Sequence, residues 1–148
     1  MKKVLYSIFL AGLLFSCGPK EGQQDLGASE FQTAMAEESG AQILDVRTID
    51  EFQNGHIDGA INADVSSPAF AQIAGGLAKD KTVYVYCLSG ARSSSAAGML
   101  KEMGFKSIVN LTGGMLAWQS ANLPVATGEA KATASVGLTE ASFAEKIK

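Results

Sequence analysis

Apolar and polar positions along the chain change rhythm repeatedly, and each change predicts an element. Thr82–Tyr86 is a run of β-branched and aromatic residues without charge, the composition of a strand covered on both faces. Gln42–Val46 and Ser107–Leu111 give two more short strands. Between them apolar residues recur three and four positions apart, as Phe31, Ala34 and Met35 do, and then Phe70, Ile73 and Leu77. That spacing lines one face of a helix.

Capping signals set the limits of these helices. Ser29 with Gln32 and Thr48 with Glu51 have capping-box spacing, Ser67-Pro68 reads as an N-cap before a first-turn proline, and Gly40, Asn54-Gly55 and Gly104 supply stops. Ser93–Met103 is a helix of small residues. Gly113-Gly114 turns the chain into a short segment holding Met115 and Trp118, which Pro124 closes. The fold class expected from this alternation is α/β, a mostly parallel sheet with helices on both faces.

The two ends do not share the rhythm. Lys2 and Lys3 precede an apolar run from Val4 to Phe15, broken only by Ser7 and Gly12. This is too short for a permanent membrane helix and reads as a signal peptide, residues 1–16. Its end, Leu14-Phe15-Ser16-Cys17, resembles the bacterial lipobox, in which the cysteine is lipidated and becomes the mature amino terminus. The alternative is an incidental thiol after an ordinary cleavage. Residues 17–25 are small and polar, a tether between a lipid anchor and a domain spanning 26–125. Lipidation at Cys17 implies the bacterial cell envelope, with the domain facing the periplasm or the exterior.

Beyond the domain, residues 126–148 read as an Ala/Thr/Gly/Ser linker followed by a capped helix start with Phe143 and Ile147 four apart. The closing segment resembles the opening of a thioredoxin-like domain, and it also mirrors the start of this domain at Ser29–Met35. A thioredoxin-like domain or protein is therefore a possible partner.

Charge narrows the function. The whole chain carries 12 Lys and Arg against 15 Asp and Glu; removing residues 1–16 deletes two lysines and no acid, leaving a net charge of −5. Nothing here attracts nucleic acid. With Cys17 consumed by lipid, Cys87 is the one remaining thiol of the two cysteines, and it has no partner for an internal disulfide in an oxidising compartment.

Cys87 opens the segment Cys87-Leu88-Ser89-Gly90-Ala91-Arg92-Ser93, where a buried strand ends and a helix begins. Ligands of open α/β sheets bind at the carboxyl ends of strands. A helix amino terminus offers unpaired amides and partial positive charge, which lower a thiol pKa and favour an anion. Gly90 can adopt positive φ, so the amides of Leu88 to Arg92 can curl as a nest around whatever the sulfur carries. Arg92 has two open uses: gripping an oxyanion donor, or an internal pair with Asp45 or Glu51.

At this point the chain resembles the rhodanese family over about Leu26 to Val125. The matching stretches are Leu44-Asp45-Val46-Arg47 with Glu51-Phe52, Gly55-His56-Ile57 with Gly59-Ala60-Ile61-Asn62, the Cys87–Arg92 loop, and Gly113-Gly114 with Trp118. The resemblance implies a five-stranded parallel sheet, a persulfide on Cys87 as covalent intermediate, and neither metal nor organic cofactor. Phosphatase and arsenate-reductase relatives in the family have five residues between Cys and Arg. Here four, Leu88 to Ala91, separate Cys87 from Arg92, and the shorter loop favours sulfur over a tetrahedral anion.

The expected site is thus Cys87 as nucleophile, with Leu88, Ser89, Gly90, Ala91 and Arg92 binding substrate and Asp45, Arg47 and Glu51 supporting. Asp45 and Arg47 are expected in an internal ion-pair network, Trp118 in the core, and His56 in a structural role. The expected function is transfer of sulfane sulfur from a small donor, such as thiosulfate or a polysulfide, to a thiol or cyanide acceptor. The alternatives are a non-catalytic persulfide-carrying or interaction module, and a phosphatase or arsenate-reductase relative.

Overall fold

The computed structural model describes residues 21–128. The expected signal peptide, Cys17, and the helix start with Phe143 and Ile147 lie outside the described residues. Ten elements follow in order: β1 (Gly22–Leu26), α1 (Ala28–Glu37), β2 (Gln42–Asp45), α2 (Ile49–Asn54), β3 (Ile61–Asn62), α3 (Phe70–Gly75), β4 (Val83–Tyr86), α4 (Ala91–Glu102), β5 (Ser107–Leu111) and α5 (Gly114–Ser120). The strands form one sheet in the order β1-β5-β4-β2-β3. Every pairing is parallel.

Side chains of successive strand residues point to opposite faces, and here both faces are covered. Leu44, Val83, Val85 and Ile108 pack under Phe70 and Ala74 of α3 and Ala96, Ala97 and Leu100 of α4. Tyr84, Tyr86, Val109 and Leu111 pack under Phe31 of α1, Phe52 of α2, and Met115 and Trp118 of α5. Phe31 is fully buried and meets Tyr84 and Trp118 edge-on, with centroids at 5.4 and 6.3 Å. The Trp118 indole N–H is satisfied by Pro124 O at 2.8 Å, so the expected core role of Trp118 and closing role of Pro124 meet in one bond.

The expected tether is corrected by the sheet. Gly22–Leu26 pairs residue for residue with Ser107–Leu111, so four residues assigned to the tether belong to the domain. Their polar side chains hid the strand, because an edge strand with an exposed face needs no apolar run. The same strand moves the first helix cap. Leu26 is held opposite Leu111, so α1 starts at Ala28 with Gly27 as N-cap, and the Gly27 amide donates to Glu30 Oε2 at 3.3 Å. The expected Ser29–Gln32 box is not used.

Three further boundaries differ. β3 has only two residues, which was too short to be read from pattern. Ser67-Pro68 makes a turn, with Ser67 Oγ accepting from the Ala69 amide at 3.2 Å, and α3 begins at Phe70. The domain also runs past Val125: the Ala126 and His56 backbones exchange two hydrogen bonds of 2.9 Å, and the Gly128 amide donates to Gln53 O.

The order of strands decides where a ligand can sit. From β2 the chain goes outward to β3, and from β4 it goes the other way to β5. β2 and β4 are neighbours, so their outgoing loops diverge and leave a crevice at the carboxyl edge of the sheet. The β2 loop leads to Thr48 and Glu51; the β4 loop is Cys87–Gly90.

Candidate active site

Cys87 follows the last residue of β4 and is 1 % exposed. Gly90 takes the left-handed conformation at φ 106°, as its place in the loop required, and turns its amide onto Cys87 Sγ at 3.1 Å. Burial raises the Cys87 thiol pKa, but the Ser93 hydroxyl and amide and the Gly90 and Ser89 amides all favour the thiolate, and the net shift is downward. Around the bare thiol, Ser89, Gly90 and Ser93 supply the groups that favour the thiolate.

Ser93 was not singled out by sequence. It is fully buried, its hydroxyl lies 3.1 Å from Gly90 O, and it belongs to the first turn of α4. The available signal was helical spacing, since α4 starts at Ala91, two residues before the expected Ser93. Starting earlier, it places Ala91 and Arg92 in the helix and brings the Ser93 hydroxyl round to the loop. Leu88 and Ser89 lie at the surface, and Leu88 O accepts from the Leu116 amide at 3.1 Å.

Gly114 closes the loop from below. The Met115 amide donates to Cys87 O at 2.9 Å, and an added Cβ on Gly114 would meet Cys87 O at 2.4 Å. The Gly113-Gly114 pair therefore lets α5 start directly against the Cys87–Gly90 loop, at φ 75° and 55°.

Of the two uses open to Arg92, the structure shows the internal pair, and with Glu51 rather than Asp45. Nη1 donates to Glu51 Oε2 at 2.8 Å and Nη2 to Oε1 at 2.7 Å, a fork-to-fork contact. Glu51 also completes the predicted capping box of α2, accepting from the Thr48 amide at 3.1 Å and hydroxyl at 3.0 Å. Arg92 foremost, with Thr48, holds the Glu51 carboxyl down at about 2. One carboxylate thus joins α2 to α4 across the crevice.

Asp45 and Arg47 form their own buried pair, as expected. The Arg47 Nη2 to Asp45 Oδ2 distance is 2.6 Å, and the same nitrogen donates to Gly55 O at 2.6 Å. Both are buried, at 0 and 4 % exposed. Their work is to shape the β2–α2 turn, aided by Asn62, whose amide nitrogen donates to Arg47 O at 2.8 Å. His56 stacks on Phe52 with centroids 3.8 Å apart and shares a 2.9 Å hydrogen bond between Nδ1 and Phe52 O, a structural place. Among the described residues no group of three His, Cys, Asp or Glu side chains is arranged to hold a metal ion.

Comparison with known proteins agrees with this geometry. The rhodanese-like domain family model matches residues 28–121, more than half of the chain. The chain belongs to the rhodanese-like domain family. Within it, the thiosulfate sulfurtransferase GlpE of Shewanella oneidensis is 40 % identical over 88 residues, covering 60 % of this chain and 85 % of that protein. Thiosulfate sulfurtransferase 18 of Arabidopsis thaliana is 34 % identical over 110 residues, covering 66 and 81 %. The putative sulfur carrier protein YrkF of Bacillus subtilis is 31 % identical over 94 residues, and the chain spans only half of its length. Among solved structures, the rhodanese-related protein of Thermoplasma volcanium superposes with a TM-score of 0.61 at 28 % identity, covering 70 % of this chain and 97 % of that one. The rhodanese-like fold and its five-stranded parallel sheet are thus shared, and the family has sulfurtransferases among this chain's relatives.

Proposed function

We propose that this rhodanese-like domain is a sulfurtransferase whose covalent carrier is Cys87. The observation that carries the reading is the cradle: a thiol at a strand end, held 3.1 Å from the Gly90 amide with its pKa lowered, at the amino terminus of α4. The thiolate attacks the outer sulfur of a sulfane donor, the donor's S–S bond breaks, and its electron pair leaves with the departing sulfite or thiolate. The terminal sulfur of the resulting persulfide lies where the loop amides favour negative charge. A thiol or cyanide acceptor then attacks that sulfur and returns Cys87 as thiolate. Loop length supports sulfur transfer over phosphate hydrolysis, since only four residues separate Cys87 from Arg92.

Incubation with a sulfane donor should add one sulfur atom to Cys87 by intact-protein mass spectrometry, and cyanide should remove it. Cys87→Ser should abolish both, because a hydroxyl is not ionised at neutral pH and cannot store sulfane sulfur. Hydrolysis of an aryl phosphate with no persulfide would overturn the reading. Loading of sulfur without turnover to any small thiol would instead favour a carrier that serves a thioredoxin-like partner. The lipobox-like Leu14–Cys17 supports the further proposal that the domain works in the bacterial cell envelope on a lipid anchor.

A further inference from the structure

The charges around the crevice bear on which donors it admits, and this inference rests on the sulfurtransferase reading. Cations are distributed unevenly. Lys79 and Lys81 precede β4, Lys106 precedes β5, and Lys101 lies in the last turn of α4. Cys87 follows the opposite end of β4, and the strands are parallel, so these four lysines sit at the far edge of the sheet. Arg47 is buried on Asp45. Among the described residues, Arg92 is then the one cation at the catalytic edge that is not buried.

That cation is compensated. Its fork is closed on Glu51 by two hydrogen bonds of 2.8 and 2.7 Å. Asp64 adds to the negative field on it, Asp50 lies in the first turn of α2 beside Glu51, and Asp25 lines an open cleft of about 530 Å³ along Ser89, Gly90 and Ala91. The loop's own side chains, Leu88, Ser89 and Ala91, are uncharged, and Leu88 and Leu116 stand exposed beside each other at its rim.

We infer that Glu51 is a specificity-determining residue: by closing the Arg92 fork it leaves the crevice without a free cation, and the site takes organic persulfides of at most one negative charge in preference to a dianion such as thiosulfate. In the favoured half-reaction the Cys87 thiolate attacks the terminal sulfur of R–S–SH, the S–S bond breaks, the departing sulfur takes up the proton and leaves as R–SH, and Cys87 is left as a persulfide anion. Only the loop amides are needed to hold one charge at the terminal sulfur. A dianion brings a second charge into a field of carboxylates, where like-charge repulsion lowers both encounter and binding.

The test compares kcat/KM for thiosulfate and for 2-hydroxyethyl persulfide in the wild type and in Glu51→Gln, which can keep a hydrogen bond to Arg92 while losing the charge. The wild type should favour the persulfide. The ratio of thiosulfate to persulfide kcat/KM should rise about tenfold in Glu51→Gln, chiefly through a lower KM for thiosulfate. Added salt should raise the wild-type kcat/KM for thiosulfate by screening repulsion, and raise it less in the variant. Asp64→Asn, which leaves the α2 cap intact, should move the ratio the same way and so covers the case in which Glu51→Gln fails to fold. A wild-type preference for thiosulfate, or equal changes with both donors, would overturn the role of Glu51. If neither donor adds sulfur to Cys87, the sulfurtransferase reading falls with it.

Discussion

Gly114→Ala tests whether the Cys87 loop depends on the close start of α5. The new Cβ would lie 2.4 Å from Cys87 O and 2.6 Å from both the carbonyl carbon and oxygen of Leu88. All three are backbone atoms, so no side chain can swing aside to relieve the contact. Alanine also has to hold φ 55°, at a cost of about 1 kcal/mol over glycine. Relief by moving α5 away gives up the bonds from Met115 to Cys87 O and from Leu116 to Leu88 O, 2.9 and 3.1 Å long, each worth about 1 kcal/mol net. The total, about 3 kcal/mol, is a large share of the roughly 5–15 kcal/mol that holds a domain of this kind together. With a urea slope of about 1–3 kcal/mol/M the midpoint should fall by about 1 M or more. Persulfide formation on Cys87 should slow as well, because the two carbonyls that shift belong to its loop. Gly98→Ala is the control: nothing lies within 4 Å of its added Cβ on α4, and the helix should gain roughly 0.5–1 kcal/mol. An unchanged midpoint and loading rate in Gly114→Ala would refute the reasoning.

Other predictions probe other parts of the molecule. Asp45→Ala leaves the Arg47 guanidinium buried without its carboxylate, and urea unfolding should show a loss of about 3–5 kcal/mol. Because the folded Cys87 thiol is shifted down, alkylation by iodoacetamide should reach half its maximal rate at a lower pH than in the urea-unfolded chain. Its linkage follows the same sign: a depressed folded pKa adds stability above the unfolded value and loses it as pH falls through the folded one. Wild type should therefore gain on Cys87→Ala between neutral and alkaline pH, by thermal unfolding under reducing conditions. Cys17→Ala should release the protein from membranes or leave it unprocessed, which fractionation and amino-terminal mass can show; normal processing and retention would refute the lipid anchor.

Much of the fold and the core of the site are legible in contiguous sequence. Thr48 and Glu51 specify their cap at a spacing of three, the uncharged run through Val83–Tyr86 specifies a strand with all four residues buried, and Gly90 between Cys87 and Arg92 specifies a turn whose amide meets the sulfur. Such signals act over a few residues, so chain geometry alone makes them readable. Tertiary structure decided what depends on partners far apart in the chain. Gly22–Asp25 is polar and becomes a strand only because β5 offers it an open edge; β3 exists because β2 has a free side. The fate of Arg92 is of the same kind. Asp45 and Glu51 were equally plausible partners by residue type, but Asp45 is consumed two residues away by Arg47, while Glu51, 41 positions from Arg92, is brought to it by the adjacency of β2 and β4. A charge pairs with what the fold places within reach of its side chain, and that distance is set by strand order, which no local pattern encodes.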